Sequence, residues 1–189
     1  MCSSDLVRIQ GATFDVRRGE LVGVAAVEGS GHHALLRAIA GRQSVARGVL
    51  ELPSSVGFVA DDRNRDGLIL GMTLSENVAL NGAGSRRGTI RWRQIAAATR
   101  AIMNRFDIRA ESEEVLAGTL SGGNQQRLIL GRELSNGPVA LVAENPTRGL
   151  DLQASAYVHE RLLAACDDGV AIVLHSADID EILSICHRV

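Results

Sequence analysis

The chain has almost no net charge: 20 basic and 22 acidic side chains leave a formal value of −2. Attraction to nucleic acid or to an anionic membrane surface is therefore not expected from charge. Long apolar runs are missing too, and none approaches the roughly 20 residues that cross a bilayer. The N-terminus lacks a basic stretch followed by an apolar one, so no signal peptide is expected. Cysteine is scarce. Cys2, Cys166 and Cys186 are odd in number and widely scattered. They make neither a disulfide framework nor a metal-ligand spacing, which fits a reducing cytosol. There is no internal repeat and no low-complexity tract. What is present is a chain of 189 residues, 46% of them hydrophobic. That suffices for a real core in one domain, or in a domain plus a small lobe.

Taken in order, Val7–Ile9 and Ala12–Val16 read as short strands, joined by the turn Arg17–Glu20 to an apolar run, Leu21 to Ala26. A continuous run of this kind suits a strand buried on both faces. Gly29, Ser30 and Gly31 follow, and then Leu35, Leu36, Ile39 and Ala40 recur at helix spacing up to Gly41. Strand, Gly-rich loop and helix form the context of a phosphate-binding loop, whose pattern is G-x-x-x-x-G-K-[ST]. Here Ala26 replaces the first Gly, His32 stands at the Lys position and His33 at the hydroxyl position. Backbone N–H groups could still cradle phosphate, but weakly, without the fixed cation or the Mg²⁺-holding hydroxyl. A metal site at His32–His33 is not expected, because adjacent helical residues diverge and no Cys or third ligand lies nearby in the sequence.

Gly48–Leu52 and Val56–Val59 look like strands. Thr73 and Glu76 have the spacing of a capping box. Ser85–Gly88 reads as a loop. Arg91–Phe106 is an amphipathic helix with Trp92, Ile95, Ala96, Ile102, Met103 and Phe106 on one side, a core or interface stripe. Val139–Ala143 and Val170–Leu174 are apolar runs of buried-strand type, and Leu152 onward is helical. In the last helix, Asp178–Cys186, the residues Ile179, Ile182, Leu183 and Cys186 are expected to face inward.

The most informative stretch is Leu120-Ser121-Gly122-Gly123-Asn124-Gln125-Gln126. Ser121 can cap the helix that follows. The two glycines leave the first-turn N–H groups uncovered, and unpaired donors plus the helix dipole attract anions. LSGGNQQ resembles the signature motif of ABC-type ATPases. Asn145 to Asp151, NPTRGLD, resembles that family's Walker B and D-loop segment, and Asp61 falls at its Q-loop position.

The resemblance covers nearly the whole chain and is nearest to the second nucleotide-binding domain of importers for simple sugars or nucleosides. It implies an α/β P-loop NTPase core with a mostly parallel sheet, a small antiparallel β part and a helical lobe over residues 78–135, in a single domain 1–189 incomplete at both ends. It implies ATP and Mg²⁺ as cofactors, with no protein-held metal beyond Mg²⁺ on the nucleotide. Nucleotide-binding positions are Gly29, Ser30, Gly31, His32, His33, Asp61, Ser121, Gly122, Gly123, Asn124, Gln125 and Asp151. The catalytic positions are degenerate. Glu144 takes the place of the Mg²⁺-holding Asp. Asn145 replaces the catalytic Glu and cannot accept a proton from water. Ala177 replaces the switch His. His175 lies one residue early, which on a strand points the other way, and is expected to be a buried or interface histidine.

The implied partners are a second ABC ATPase domain with an intact phosphate loop, membrane permease subunits and, indirectly, a substrate-binding protein. The implied place is the cytoplasmic face of the cell membrane. A DNA-repair or ribosome-acting ABC ATPase would need the missing Lys and Glu. A purely structural pairing module would not need two glycines at a helix N-terminus.

Overall fold

The computed structural model describes residues 11–84 and 87–189. The expected strand at Val7–Ile9 and the first residues of the Ser85–Gly88 loop lie outside them. The chain forms two compact units. The first comprises the described residues up to Phe58 together with Val139–Asn145 and Leu162–Val189, and the second comprises Val59–Pro138 and Pro146–Arg161.

The first unit is built on a sheet of β1 (Leu21–Val24), β2 (Val56–Val59), β3 (Ala140–Glu144) and β4 (Ala171–His175), in the order β1-β4-β3-β2. The central strand β4 pairs in parallel with both neighbours, Val24 opposite His175 on one side and Glu144 opposite His175 on the other. All five β4 residues are buried, as expected for a strand covered on both faces. Parallel pairing forces each connection to cross over through a helix. α1 (His32–Ile39) makes the first crossover, and α6 (Ile179–Ile185) packs on β1. The approach of α6 requires Gly23, where a Cβ would sit 2.4 Å from Ile182 Cγ2. Burial pushes the Cys186 thiol up to about 11. The C-terminal ends of β1, β3 and β4 therefore share one edge, the edge at which open α/β sheets bind ligands.

Three expectations about elements fail. Residues 12–16 and 48–52, expected as strands, are irregular. Phe14 and Val49 are 43% and 91% exposed. Apolar alternation selects a face only when a partner strand and a core are there to meet it. In α6, Ile182 is fully buried and Cys186 half-buried, but Ile179 and Leu183 are exposed, because one helix face meets β1 and none of the described residues covers the other.

The second unit holds α2 (Leu74–Ala79), α3 (Trp92–Arg105), α4 (Gly122–Leu134) and the first turns of α5 (Leu152–Asp167). The Thr73–Glu76 capping box forms with both reciprocal hydrogen bonds. The apolar stripe of α3 is buried at Ile102 and Phe106, whereas Trp92 in its first turn is exposed. α3 and α4 touch at Gly131, where a Cβ would lie 2.6 Å from Ile102 Cγ2 and 3.0 Å from Phe106 Cδ2. Gly131→Leu is therefore expected to cost about 1–3 kcal/mol through overpacking. Each kcal/mol should lower the melting temperature by about 2–4 °C in a chain this size. Thermal unfolding followed by circular dichroism checks it, and an unchanged midpoint would mean that α3 gives way freely.

Candidate functional site

In the first unit, Gly29 (φ +82°) and Gly31 (φ +89°) both lie in the left-handed region that glycine enters without strain. They turn the chain between β1 and α1, so that Gly31 caps the helix through its backbone with no side-chain cap. This is the shape of a backbone anion nest. The side chains inside it are not those of a phosphate clamp. His32 is 3% exposed. Its Nδ1 lies 3.1 Å from Ser30 Oγ, and its ring packs against His33 (centroids 4.0 Å apart) and His175 (4.1 Å). The ring is held in the sheet edge rather than extended into the nest. The chain has no lysine anywhere; all its basic residues are arginine.

His33 lies between two carboxylates, with Nε2 3.8 Å from Glu28 Oε1 and Nδ1 3.6 Å from Glu144 Oε1. Glu144 is 1% exposed at the end of β3. Next to it Asn145 adopts φ +42°, a conformation Asn tolerates better than most residues. Its N–H donates to His175 O (2.7 Å) and its Oδ1 accepts from Ala177 N–H (2.7 Å). Asn145 thus fastens the end of β3 to the turn after β4, with its amide spent on backbone. His175 is buried as expected, and its Nδ1 donates to Val24 O at 2.8 Å. It is not turned away from the loop, however. As the last residue of β4 it sits against His32, since the slip to the opposite face places it beneath α1. Sequence reasoning missed this three-histidine cluster and also Glu28, whose signal was its place four residues before His32 in a Gly-punctuated turn.

In the second unit, Ser121 caps α4, its Oγ accepting from Asn124 N–H (3.4 Å) and Asn124 Nδ2 (3.1 Å). Asn124 Oδ1 accepts from Arg109 N–H at 2.9 Å. Gln125 is buried and donates to Ala117 O at 3.2 Å, so it anchors the motif from inside. Gly122 and Gly123 form the first turn, whose N–H groups have no intrahelical acceptor. Arg63, not singled out from sequence, lies over them: a Cβ on Gly122 would be 3.0 Å from its Nη2. Arg63 Nη1 donates to Arg148 O, and Arg148 in turn donates to Asp61 Oδ2, both at 2.8 Å. Asp61 is therefore tied into an arginine pair. Asp151 Oδ1 accepts from Ala154 N–H (2.7 Å) at the start of α5.

Further along α4, Arg127 donates to the carbonyl and carboxylate of Asp107 and lies 4.1 Å over the Tyr157 ring. The Arg127 hydrogen bond holds the Asp107 carboxyl below the usual range, so this pairing persists through that range and is lost only as pH falls below it. Burial pushes the Tyr157 phenol up, and its O–H donates to Phe106 O at 2.8 Å.

The family model for ABC transporters matches residues 9–148. The chain belongs to the ABC transporter family. This ABC domain is 40% identical over 201 residues to the nucleoside import ATP-binding protein NupA of Lactococcus lactis, a match covering 97% of the chain and 40% of NupA. It is 33% identical over 196 residues to the ribose import ATP-binding protein RbsA of Bacillus licheniformis, covering 95% of the chain and 40% of that relative. The chain thus spans about two fifths of the length of these relatives. Among solved structures, a dimeric ATP-binding cassette in a post-hydrolysis state bound to ADP and Pi superposes with a TM-score of 0.72 at 24% identity, over 88% of this chain and 78% of that one. The α/β fold expected from sequence is the fold of the ABC family.

The residues at the first-unit loop do not suit Mg²⁺, which demands octahedral oxygen ligands. The hydroxyl position carries an imidazole, and the nearest buried carboxylate, Glu144, already faces that imidazole.

Proposed function

We propose that this ABC domain is the ATP-binding half of an importer for nucleosides or simple sugars, and that it works by lending its α4 N-terminus to ATP held in a partner domain. The observation that carries this reading is the first turn of α4, whose N–H groups have no intrahelical acceptor. Ser121 caps the helix, Gly122 and Gly123 bring no side chain, and Asn124 and Gln125 are engaged behind them. These donors and the helix dipole would stabilise charge on the terminal phosphate of the partner's ATP. Residues 78–135 are the helical lobe in this reading, and Asp61 and Asp151 border the composite site. The relatives named above support nucleosides or sugars as cargo. The partners are then a second ABC domain with an intact phosphate loop and Mg²⁺, permease subunits and a substrate-binding protein, at the cytoplasmic face of the cell membrane. Closing and opening of the domain pair drives the permease.

The chain's own loop is catalytically idle in this reading. His32 is buried, Asn145 spends its amide on Ala177 N–H, and Ala177 has no side chain to reach a phosphate. The chain alone is expected to show negligible ATP hydrolysis in a coupled phosphate-release assay. Asn145→Glu is not expected to rescue it, because a base without a cation and a switch residue acts on nothing. Turnover near about one per second, an ordinary enzymatic rate, abolished by changing Asn145, would overturn this assignment.

A further inference from the structure

We propose that Glu28, His32 and His33 form a site for a transition-metal ion of the Zn²⁺ class, in the loop where intact relatives of the family hold Mg²⁺ with nucleotide. Each of the three offers one ligand atom, and all three atoms lie within 4.8 Å of one another. Zn²⁺ takes nitrogen ligands at about 2.0–2.1 Å, which puts tetrahedral ligand atoms about 3.3 Å apart. One pair, His33 Nε2 and Glu28 Oε1, is at 3.8 Å. Half an ångström of side-chain movement brings this pair to ligating distance, and Glu28 is exposed and able to move.

The loop geometry explains why residues so close in sequence converge. Gly29 and Gly31, both at positive φ, fold the chain back so that the Glu28 carboxylate returns to the start of α1. The two histidine rings lie 4.0 Å apart and tilted by 40°. The outer contacts are those a metal-bound imidazole uses. Ser30 Oγ engages His32 Nδ1 at 3.1 Å, which directs Nε2 to the metal. The Glu144 carboxylate faces His33 Nδ1 at 3.6 Å, on the side opposite Glu28. The Ser30 contact aims the His32 ring, and Glu144 sets negative charge beside His33. His175 backs His32, with its own Nδ1 fixed on Val24 O. Two imidazoles and a carboxylate are a donor set for Zn²⁺, Ni²⁺ or Cu²⁺ rather than for Mg²⁺. Two carboxylates, Glu28 as ligand and Glu144 behind it, offset the charge of a divalent ion. The inference is independent of the nucleotide reading, since it concerns the metal alone.

The test is titration of the purified, EDTA-stripped and desalted protein with Zn²⁺ in competition with a chromogenic chelator, repeated with Co²⁺ as a visible probe. The expected result is about one equivalent bound, as for a single closed site. Millimolar Mg²⁺ should not displace it, and Co²⁺ should give the intense visible bands of a low-coordinate ion. Glu28→Gln and His33→Ala should each weaken Zn²⁺ by about 10–100-fold or more, since even outer partners of a metal site are worth that much. His159→Asn, on α5, should change nothing. Glu28 is exposed, so its variant keeps the fold and the comparison stays readable if His33→Ala does not. Failure of Zn²⁺ to compete with the chelator would overturn the proposal. So would equal affinity in wild type and Glu28→Gln, or the faint Co²⁺ spectrum of the hydrated ion.

Discussion

Gly123→Asp should abolish ATP hydrolysis and transport by the assembled transporter while leaving this chain folded. The structure separates the two effects. A Cβ on Gly123 would meet only Ala154 Cβ, at 3.4 Å, an ordinary van der Waals contact, and the backbone there has no positive φ. An acidic residue in the first turn of a helix is moreover favoured by the dipole. The fold thus has no reason to reject Asp. In the proposed function, however, the same carboxylate would stand where the terminal phosphate of the partner's ATP must come. It would put negative charge against negative charge and fill the space a bare glycine leaves. The removal of a single preorganised donor costs about 10²–10³-fold in rate, and reversing the sign of the site should cost at least that. Gly123→Ala, which adds volume without charge, should lose much less. Steady-state ATPase and vesicle uptake of the reconstituted transporter, beside the circular dichroism of both variants, read the result. A folded Gly123→Asp transporter with unchanged turnover would show that this helix end never meets a nucleotide.

The elements whose reasons are local could be read from the chain. The Ser121 cap, the Thr73–Glu76 capping box, the glycine turn at Gly29–Gly31 and the apolar run Ala171–Leu174 of β4 each depend on residues within a few positions of one another. What could not be read depends on encounters between distant segments. Residues 12–16 and 48–52 have strand composition, but a strand is a pairing, and composition names no partner. The inward face of α6 was drawn too wide because the helix meets β1 through a single line at Gly23 and Ile182. The position of His175 beside His32 follows from β4 lying next to β1, a neighbour relation that only the sheet order supplies. Once that order is known, the loop between β1 and α1 reads differently. Its two histidines and their carboxylates form a cluster, where the motif pattern had indicated only losses. Arg63 was hidden for the same reason, since its contacts with Gly122 and Arg148 cross more than fifty residues of chain.

Asn77→Asp should be the most destabilising single-atom exchange in the second unit, and its cost should fall in acid. Asn77 is fully buried in α2. Its Oδ1 accepts from Ile69 N–H at 2.8 Å, and its Nδ2 donates to the carbonyls of Ile69 (3.0 Å), Met72 (3.3 Å) and Thr73 (3.0 Å). One side chain therefore sets the whole turn from Ile69 to Thr73. That turn continues outward, because Met72 O accepts from Ala117 N–H and Leu70 O from Gly118 N–H. Ala117 O in turn accepts from Gln125, within α4. The amide of Asn77 is thus linked to Gln125 through three hydrogen bonds, by way of Met72 O and Ala117. Asn77→Ala removes the bonds and leaves a small void, for an expected loss of about 2–4 kcal/mol, given about 1–3 kcal/mol for each buried group left unsatisfied. Asn77→Asp keeps the bond from Ile69 N–H but turns a donor facing three carbonyls into an anion facing them. An uncompensated buried charge costs about 3–5 kcal/mol, a large part of the ~5–15 kcal/mol that holds a domain together. The site disfavours the charged form, so the folded-state pKa of the new carboxyl must lie above its unfolded value. The penalty is then full above the folded pKa and shrinks as pH falls through it towards the unfolded value, because a protonated carboxyl can again donate. Urea unfolding of wild type, Asn77→Ala and Asn77→Asp at neutral and mildly acidic pH measures both parts. Equal stability of the Asn77→Asp variant and wild type at neutral pH, or a penalty that grows in acid, would show that the three carbonyls do not depend on this amide.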